Sequence, residues 1–237
     1  MGIFSDRHNT DISKIVNKDA RPRRVVLIND ERDVEECIDL LNQFEDDIYI
    51  KNFPIKEERE DFETILDRIR YGIKPITAIV LATEGNIVIG GCVSVYYPQC
   101  KSLFPIYLAI RPEYRKMGFG RLLFDCSLEQ FPNAEHMFIE VDNPGRVDIE
   151  HSVMSPTDRI LVYKRMGFEL VPLSYVQAPA AKGQQPCFTL SLMHRGEPVT
   201  KDVLKNYLHC VYEGLNSLNS PYLQKMYDEI DRSKLIA

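Results

Sequence analysis

The chain has 237 residues, of which 44% are hydrophobic and 27% are charged, and its formal net charge is −6. This length and balance predict one globular domain with an appendage, or two small domains, and are sufficient for a sizeable core. The acidic balance argues against a general nucleic-acid-binding role and slightly favours a cationic partner such as an amine.

The positions of the cysteines and the hydropathy of the sequence indicate the cellular compartment and the kinds of partner to expect. The six cysteines are scattered, with no C-x-x-C pair and no histidine cluster, so the sequence argues against a metal site. The sequence shows no signal-peptide pattern and no apolar run of membrane length. We therefore expect a cytoplasmic protein that has neither a metal nor a membrane partner.

The first part of the chain predicts an arm, a strand and two helices. Residues 1–21 are polar, lack a clear period and predict a flexible arm. The β-branched run Arg23–Ile28 predicts a strand. One helix should carry an apolar face from Val34 to Phe44, and a second should cover about 55–71.

Three apolar runs come next and predict strands. The first two cover 76–83 and 87–97, and the sequence Glu84-Gly85-Asn86 between them is typical of a hairpin turn. The third begins near Phe104 and leads into a short basic loop, which is followed by an amphipathic helix.

This strand, loop and helix form the most informative stretch of the sequence. The first N–H groups of a helix have no partner inside it, and the positive end of the helix dipole lies at the same place. Gly118 and Gly120 permit a close backbone approach, and Arg115, Lys116 and Arg121 add positive charge. The stretch predicts a phosphate site; the alternative is a tight turn that binds no ligand.

The rest of the chain predicts a further series of elements: a strand over 136–141, an irregular segment over 142–156, a helix over about 157–166 that ends at Gly167, and strands over 168–175 and 187–193. Apolar stripes then predict two helices in the tail. These helices could pack against the rest of the chain, form a dimer contact or cover a substrate site, and we favour packing.

The motif R-x-x-G-x-G at Arg115–Gly120, together with its lead-in Ile110–Arg115, resembles the acyl-CoA pyrophosphate loop of the GNAT superfamily of N-acetyltransferases. The predicted order of elements resembles the same family over about residues 23–193. The resemblance implies a mixed α/β fold with a mostly antiparallel central sheet flanked by helices. It also implies an acetyltransferase domain over 22–195 and a C-terminal helical extension over 196–237.

The resemblance implies acetyl-CoA as the acyl-donor cosubstrate, with no metal. In the family, the strand before the loop supplies a backbone N–H to the oxyanion and pairs with the pantetheine arm, while the loop holds the pyrophosphate. The residues implied to contact acetyl-CoA are Leu108, Ala109, Ile110, Arg115, Lys116, Met117, Gly118, Phe119, Gly120 and Arg121.

Tyr163 is the candidate for proton donation to the leaving thiolate. It lies in the run Leu161–Phe168, which resembles the GNAT signature that ends in Gly-Phe, and the matching tyrosine of that family often lies beside the CoA sulfur. The alternative is a tyrosine of the core. The family pattern places an Asn shortly before this helix, whereas here Ser155-Pro156 follows an apparent insertion over 144–154, which puts that CoA contact in doubt.

Two carboxylates at the end of a predicted strand, Glu140 and Asp142, are the candidate general bases. By the resemblance, that strand end borders the acceptor site. Asp148 and Glu150 add negative charge and only Arg146 opposes it, a balance that favours a cationic acceptor. The alternative is that the carboxylates only solvate a loop. His151 is a weaker candidate, and Glu113 belongs to the family's ordinary lead-in. Some members of the family use water relays and need no side-chain base.

The sequence thus predicts an acyl-CoA-dependent N-acyltransferase that moves an acetyl group from acetyl-CoA to a primary amine. A non-catalytic acyl-CoA sensor or scaffold with the same fold is the alternative. Transfer to a hydroxyl, or of a longer acyl chain, is a third interpretation. The acceptor, a small molecule or a protein amine, is not specified by the sequence, and a homodimer stays open.

Overall fold

The computed structural model of the chain describes residues 9–11, 23–56, 59–146, 154–179 and 184–234. The chain divides into two compact units. Unit 1 comprises residues 1–96 and 105–132, and unit 2 comprises 97–104 and 133–237. The N-terminal arm predicted over 1–21 lies outside the described residues, apart from a short strand at 9–11.

Unit 1 contains strands in the order β1-β2-β3-β4-β5, and the ladders from β1 to β4 are antiparallel. The predicted hairpin at Glu84-Gly85-Asn86 is confirmed, because Gly85 and Asn86 form the turn between β3 and β4. The strand bounds are β1 Asn9–Asp11, β2 Arg23–Ile28, β3 Ile76–Glu84, β4 Ile87–Tyr97 and β5 Ser102–Ile110, of which Pro105–Ile110 falls in unit 1.

The helices of unit 1 bury an aromatic and aliphatic face against this sheet. Phe44, Tyr49, Phe62 and Ile65 form one cluster with sheet residues such as Leu81, and all are at most 2% exposed. Burial of this apolar surface is the main term that stabilises the unit. The helices are α1 Glu31–Glu36, α2 Ile38–Phe44, α3 Ile50–Asn52, α4 Phe62–Arg70 and α5 Phe119–Glu129, the last of which packs against β3.

Two helix predictions need correction. The first predicted helix is broken at Cys37 and then runs on past Phe44, through a π-helical segment Glu45–Tyr49 and into α3. The second begins at Phe62 rather than near residue 55, because Asp61 caps it and accepts a hydrogen bond from the N–H of Glu63.

Unit 2 contains strands in the order β5-β6-β8-β7. β5 and β6 are parallel and pair only at Ser102 with His136 and Leu103 with Met137, whereas β6/β8 and β7/β8 are antiparallel. The predicted mostly antiparallel sheet is therefore confirmed. The strands are β6 His136–Asp142, β7 Glu169–Leu170 and β8 Leu190–Gly196, and the first helix of the unit is α6 Pro156–Arg165.

The strand predicted over 168–175 is wrong beyond Leu170. Pro172 has no N–H to give to a ladder, so pairing stops there. The backbone instead turns tightly, with the N–H of Leu173 bonded to the carbonyl of Val171 and the N–H of Tyr175 bonded to the carbonyl of Leu173, each at 2.8 Å. The last strand also starts later than predicted, at Leu190 rather than residue 187.

The tail forms two helices, as predicted: α7 Lys201–Gly214 and α8 Pro221–Arg232. Tyr207 of α7 stacks on Phe138 of β6, with ring centroids 3.9 Å apart. The hydroxyl of Tyr212 donates a 2.7 Å hydrogen bond to the carbonyl of Val176. The apolar stripe of α7 thus packs on unit 2 itself, which was the favoured interpretation.

Candidate functional site

The predicted phosphate loop leads into α5 through a glycine in a left-handed conformation. Gly118 is the N-cap residue, with φ +89° and ψ −5°, a combination that residues with a Cβ rarely adopt. The N–H of Leu122 makes the first helical bond, 3.1 Å to the carbonyl of Gly118. The N–H groups of Phe119, Gly120 and Arg121 precede it, where a helix offers donors to an anion.

No side chain caps α5, and this distinguishes it from the other described helices of nine residues or more. Helix α4 is capped by Asp61, α6 by Ser155, α7 by Thr200 and α8 by Ser220. An N-terminus without a capping oxygen keeps its donors for water or a ligand. The geometry therefore suits the predicted phosphate site.

Arg115 anchors the loop to its own unit. Its Nε donates to the carbonyl of Ile110 at 3.1 Å, and its Nη2 donates to Oδ1 of Asn52 at 2.9 Å. Arg111 similarly pairs with Asp47 at 2.8 Å, and its N–H bonds to the carbonyl of Ile89 at 2.9 Å. The structure thus gives Arg115 a scaffolding role that the sequence did not indicate.

The side chains of the other loop residues differ in their exposure to solvent. Lys116 and Met117 are exposed, and Lys116 adopts a positive φ of 64°. Arg121 is also exposed and lies 3.7 Å from Asp125. The side chain of Phe119 is only 2% exposed and packs in the core, so only its backbone N–H can contribute to an anion site.

The end of β5 holds the three predicted strand contacts. Ala109 is 4% exposed, whereas Leu108 and Ile110 are half-buried. The backbone of Leu108 and Ala109 is where the resemblance implies the oxyanion donor. The two-pair ladder between β5 and β6 is confined to Ser102 and Leu103 on the β5 side.

Tyr163 lies in the last turn of α6. The predicted cap at Gly167 is confirmed, with φ +92°. The N–H of Phe168 bonds to the carbonyl of Tyr163 at 3.1 Å, and the two rings meet edge to face at 6.0 Å. The backbone of Tyr163 is therefore fixed by the turn, and its ring is half-buried.

Glu140 is held by two side chains from the segment after β7. The Tyr175 hydroxyl donates to Oε1 at 2.5 Å, and Nε2 of Gln177 donates to Oε2 at 2.8 Å. Burial raises the pKa of Glu140 to about 7, while the hydrogen bonds from Tyr175 and Gln177 lower it. A carboxylate with such a pKa can exchange protons near neutral pH.

Asp142 is placed differently. Arg159 of α6 donates to its Oδ2 at 2.7 Å in a partly exposed ion pair. The expectation that only Arg146 opposes the negative charge of this strand end is therefore wrong, because Arg159 neutralises part of it. Asp148, Glu150 and His151, with most of the predicted insertion, lie outside the described residues.

A cavity of about 250 Å³ occurs elsewhere in unit 2. It is lined by α8 and the segment before β8, including Tyr222, Glu229 and Phe188, and by none of the predicted site residues.

The sequence did not predict that Asn52, Tyr175 and Gln177 contact the candidate site residues. Only the Tyr-x-Gln spacing after Pro172 hinted that two polar side chains there share a face.

Comparison with known proteins finds a family model that matches the middle of the chain. Residues 75–170 match the family model described as the acetyltransferase (GNAT) domain. This central part of the chain is therefore similar to a GNAT acetyltransferase domain. The match spans β3 to β7 and thus includes the loop, Tyr163, Glu140 and Asp142, while β2 and the helices α7 and α8 lie outside it. No curated protein sequence matches the chain.

Solved structures of acetyltransferases match this chain to different degrees. A GNAT-family acetyltransferase from Bacteroides thetaiotaomicron has a TM-score of 0.59 at 19% identity, covering 79% of this chain and 95% of its own. One from Desulfovibrio desulfuricans has a TM-score of 0.47 at 15% identity, covering 73% and 98%. One from Elizabethkingia anophelis, solved with acetyl-CoA bound, has a TM-score of 0.42 at 17% identity, covering 63% and 88%.

The first of these structures supports the predicted GNAT-like fold. In the described parts of this chain, no helix combines the length and the apolar character needed to cross a bilayer.

Proposed function

We propose that this protein transfers the acetyl group of acetyl-CoA directly to a primary amine. The observation that carries the proposal is the N-terminus of α5, which has a left-handed glycine at its N-cap and no capping side chain. It lies inside the matched acetyltransferase domain. A turn of this kind suits the pyrophosphate of a nucleotide-like cosubstrate.

The loop supplies two kinds of interaction to that cosubstrate. The N–H groups of Phe119, Gly120 and Arg121 donate to phosphate oxygens, and Lys116 and Arg121 contribute positive charge. The backbone of Leu108–Ile110 pairs with the pantetheine arm. Met117 is 53% exposed beside these groups and covers apolar parts of the cosubstrate.

The chemistry then needs three proton or charge events. Glu140 or Asp142 takes a proton from the ammonium, so that the neutral amine attacks the thioester carbonyl. A backbone N–H of Leu108 or Ala109 stabilises the oxyanion of the tetrahedral intermediate. On collapse, the C–S bond breaks, Tyr163 gives its proton to the thiolate, and the phenolate takes the second proton of the amine nitrogen, giving a neutral amide and free CoA.

Glu140 is the better base of the two. Its pKa is about 7, so it is partly deprotonated at neutral pH and can still accept a proton. Asp142 is already paired with Arg159. A carboxylate base that is held by hydrogen bonds attracts a cationic amine, either of a small molecule or of a protein.

The proposal is tested by measuring CoA release. Purified protein is mixed with acetyl-CoA and a panel of polyamines, aminoglycosides, amino acids and peptides, and free thiol is followed by a chromogenic disulfide. We expect CoA release above the amine-free rate with at least one amine. With the N-acetylated forms of the same compounds, CoA release should stay at the amine-free rate. Binding of acetyl-CoA by calorimetry without release for any amine would instead support the sensor alternative.

A further inference from the structure

We infer that Tyr175 and Gln177 are positioning residues that hold Glu140 as the general base of the acetyl transfer. The inference rests on the proposed function and deepens it. It begins from contacts that the sequence did not indicate: both carboxylate oxygens of Glu140 accept a hydrogen bond, one from the Tyr175 hydroxyl at 2.5 Å and one from the Gln177 amide at 2.8 Å.

Two donors on opposite oxygens fix the plane of a carboxylate. A single hydrogen bond would leave the carboxylate able to rotate about χ3, the last side-chain torsion of glutamate, because that torsion has a broad range of allowed values. With both oxygens engaged, the remaining lone pairs of Glu140 point in set directions and can receive one proton from an amine. Such fixation is what a base needs if its geometry is to be productive without reorganisation.

The two donors are themselves held by the fold. Tyr175 is 1% exposed, and the tight turns after Pro172 set its backbone. The backbone of Gln177 makes a two-way bridge with Cys187, with bonds of 2.9 and 3.0 Å. Between them, Val176 accepts the hydroxyl of Tyr212 from α7. The segment that presents both donors is thus tied at three successive residues.

The groups that face Glu140 come from two elements, the segment after β7 and the helix α7. Tyr175 and Gln177 bond to Glu140 directly, while burial and the charge of Glu140 raise the pKa of Tyr207 and Tyr212 on α7. Burial raises the pKa of Glu140 to about 7, and the two bonds oppose that rise. Removing either bond should therefore raise the pKa further and keep the base protonated at neutral pH.

The experiment is the pH dependence of kcat at saturating amine and acetyl-CoA for Tyr175→Phe and Gln177→Met. Both substitutions keep the packed volume and remove one donor. We expect the acidic limb of the pH–kcat profile to move up by about one pH unit in each variant, so that kcat at pH values below the limb falls about tenfold more than kcat on the alkaline plateau. Tyr227→Phe is the matched control, because it removes a tyrosine hydroxyl of the same unit that bonds to the carbonyl of Lys205 and not to Glu140 or its two donors, and its acidic limb should stay in place.

A purely structural role would give another pattern. If kcat of the two variants falls equally at every pH and the limb does not move, the inference is overturned. Titration of the Glu140 carboxyl by carbon-13 NMR, assigned with Glu140→Gln, reads the same pKa without turnover. A pKa that is unchanged in Tyr175→Phe and Gln177→Met also overturns it. Absence of turnover in the wild-type protein with every amine, alongside a shifted NMR pKa, would reject the proposed function and not the hydrogen-bond effect.

Discussion

Arg115 donates a hydrogen bond of 2.9 Å from Nη2 to the side-chain oxygen of Asn52, the last residue of α3. The same guanidinium donates to the carbonyl of Ile110 at the end of β5. One arginine therefore joins the end of α3, the end of β5 and the predicted phosphate loop. A planar group with several donors can make both bonds at once, which lysine cannot do.

This relationship predicts that Asn52→Ala weakens acetyl-CoA binding. Losing the acceptor frees Arg115 and loosens the loop, and we expect calorimetry to give an affinity about three- to tenfold lower. Asn52→Asp keeps an acceptor for Arg115 but loses the bond from Nδ2 of Asn52 to the carbonyl of Ile48. It should bind nearly as the wild type does, and equal affinity in Asn52→Ala would show that the anchor is irrelevant to binding.

Gly118 gives the second prediction. A Cβ built at Gly118 meets nothing within 4 Å, so Gly118→Val has room in the protein but is strained by φ +89°. The side chain would stand where the phosphate must approach, and we expect at least a tenfold loss of acetyl-CoA affinity, about 1.4 kcal/mol or more.

Gly72→Val is the matched control for Gly118→Val. Gly72 also has a positive φ, +59°, with nothing within 4 Å of a built Cβ, but it lies in the turn after α4. Both variants should lose about 1–2 kcal/mol of unfolding free energy, and only Gly118→Val should lose affinity. An equal loss of affinity in the two would assign the effect to strain alone.

Tyr163→Phe should lower turnover more than cosubstrate binding. If the hydroxyl protonates the leaving thiolate, kcat falls on the order of a hundredfold, while the dissociation constant of acetyl-CoA changes by less than about twofold. Stopped-flow release of CoA and calorimetry supply the two values. Full turnover in Tyr163→Phe with a proven acceptor would make this tyrosine a packing residue.

Glu140→Gln and Asp142→Asn should separate the two candidate bases. We expect Glu140→Gln to lower kcat about a hundredfold or more and to abolish its acidic limb. Asp142→Asn breaks a partly exposed pair with Arg159 and should cost at most about 1 kcal/mol of stability, with a smaller effect on kcat. Acetyl-CoA affinity should be nearly intact in both. If the variant that carries both Glu140→Gln and Asp142→Asn has unchanged kinetics, neither carboxylate has a catalytic role.

The buried histidine pair of unit 2 predicts a pH-dependent stability. Nδ1 of His136 lies 3.2 Å from Nε2 of His194, and the side chains are 4% and 9% exposed. Burial lowers the pKa of both, and for His194 burial together with the neighbouring His136 lowers it to about 4. A depressed histidine pKa means that stability is fully present above about pH 6.5 and is lost as the pH falls towards 4.

Urea unfolding across this pH range checks the histidine prediction. Replacing His194 by Gln should reduce the loss of unfolding free energy between neutral pH and pH 4 by about 2 kcal/mol relative to the wild type. Comparing the two proteins cancels the opposite contribution of Glu140. The same loss in both would show that the pair does not titrate in this range.

The parts of the site that depend on local backbone were predictable from the sequence. Gly118 and Gly167 stand at helix ends that need a left-handed residue, and adjacent residues set that requirement. The contact of Tyr175 with Glu140 was not predictable, because it joins residues 35 positions apart. It depends on the register of β6 with β8 and on the tight turns after Pro172.

The order of the strands in the sheet could not be predicted from the sequence either. The last strand, β8, pairs with β6 and β7 and so lies between strands that precede it in sequence. Alternation of apolar residues predicts that a strand exists but not which neighbour it takes. Likewise, nothing in the composition of Glu45–Tyr49 separates a π-helical segment from an α-helix, although that segment sets where α3 ends and Asn52 meets Arg115.

The most direct test of acetyl transfer follows the labelled carbon itself. The protein is incubated with acetyl-CoA carrying carbon-13 at the carbonyl and with the best amine of the panel, and the carbonyl region is recorded by NMR. Acetyl transfer predicts that the thioester signal decays while an amide signal of the acetylated amine grows in equal amount, and that Glu140→Gln slows both. A thioester signal that persists at the spontaneous hydrolysis rate, with acetyl-CoA bound, would contradict it.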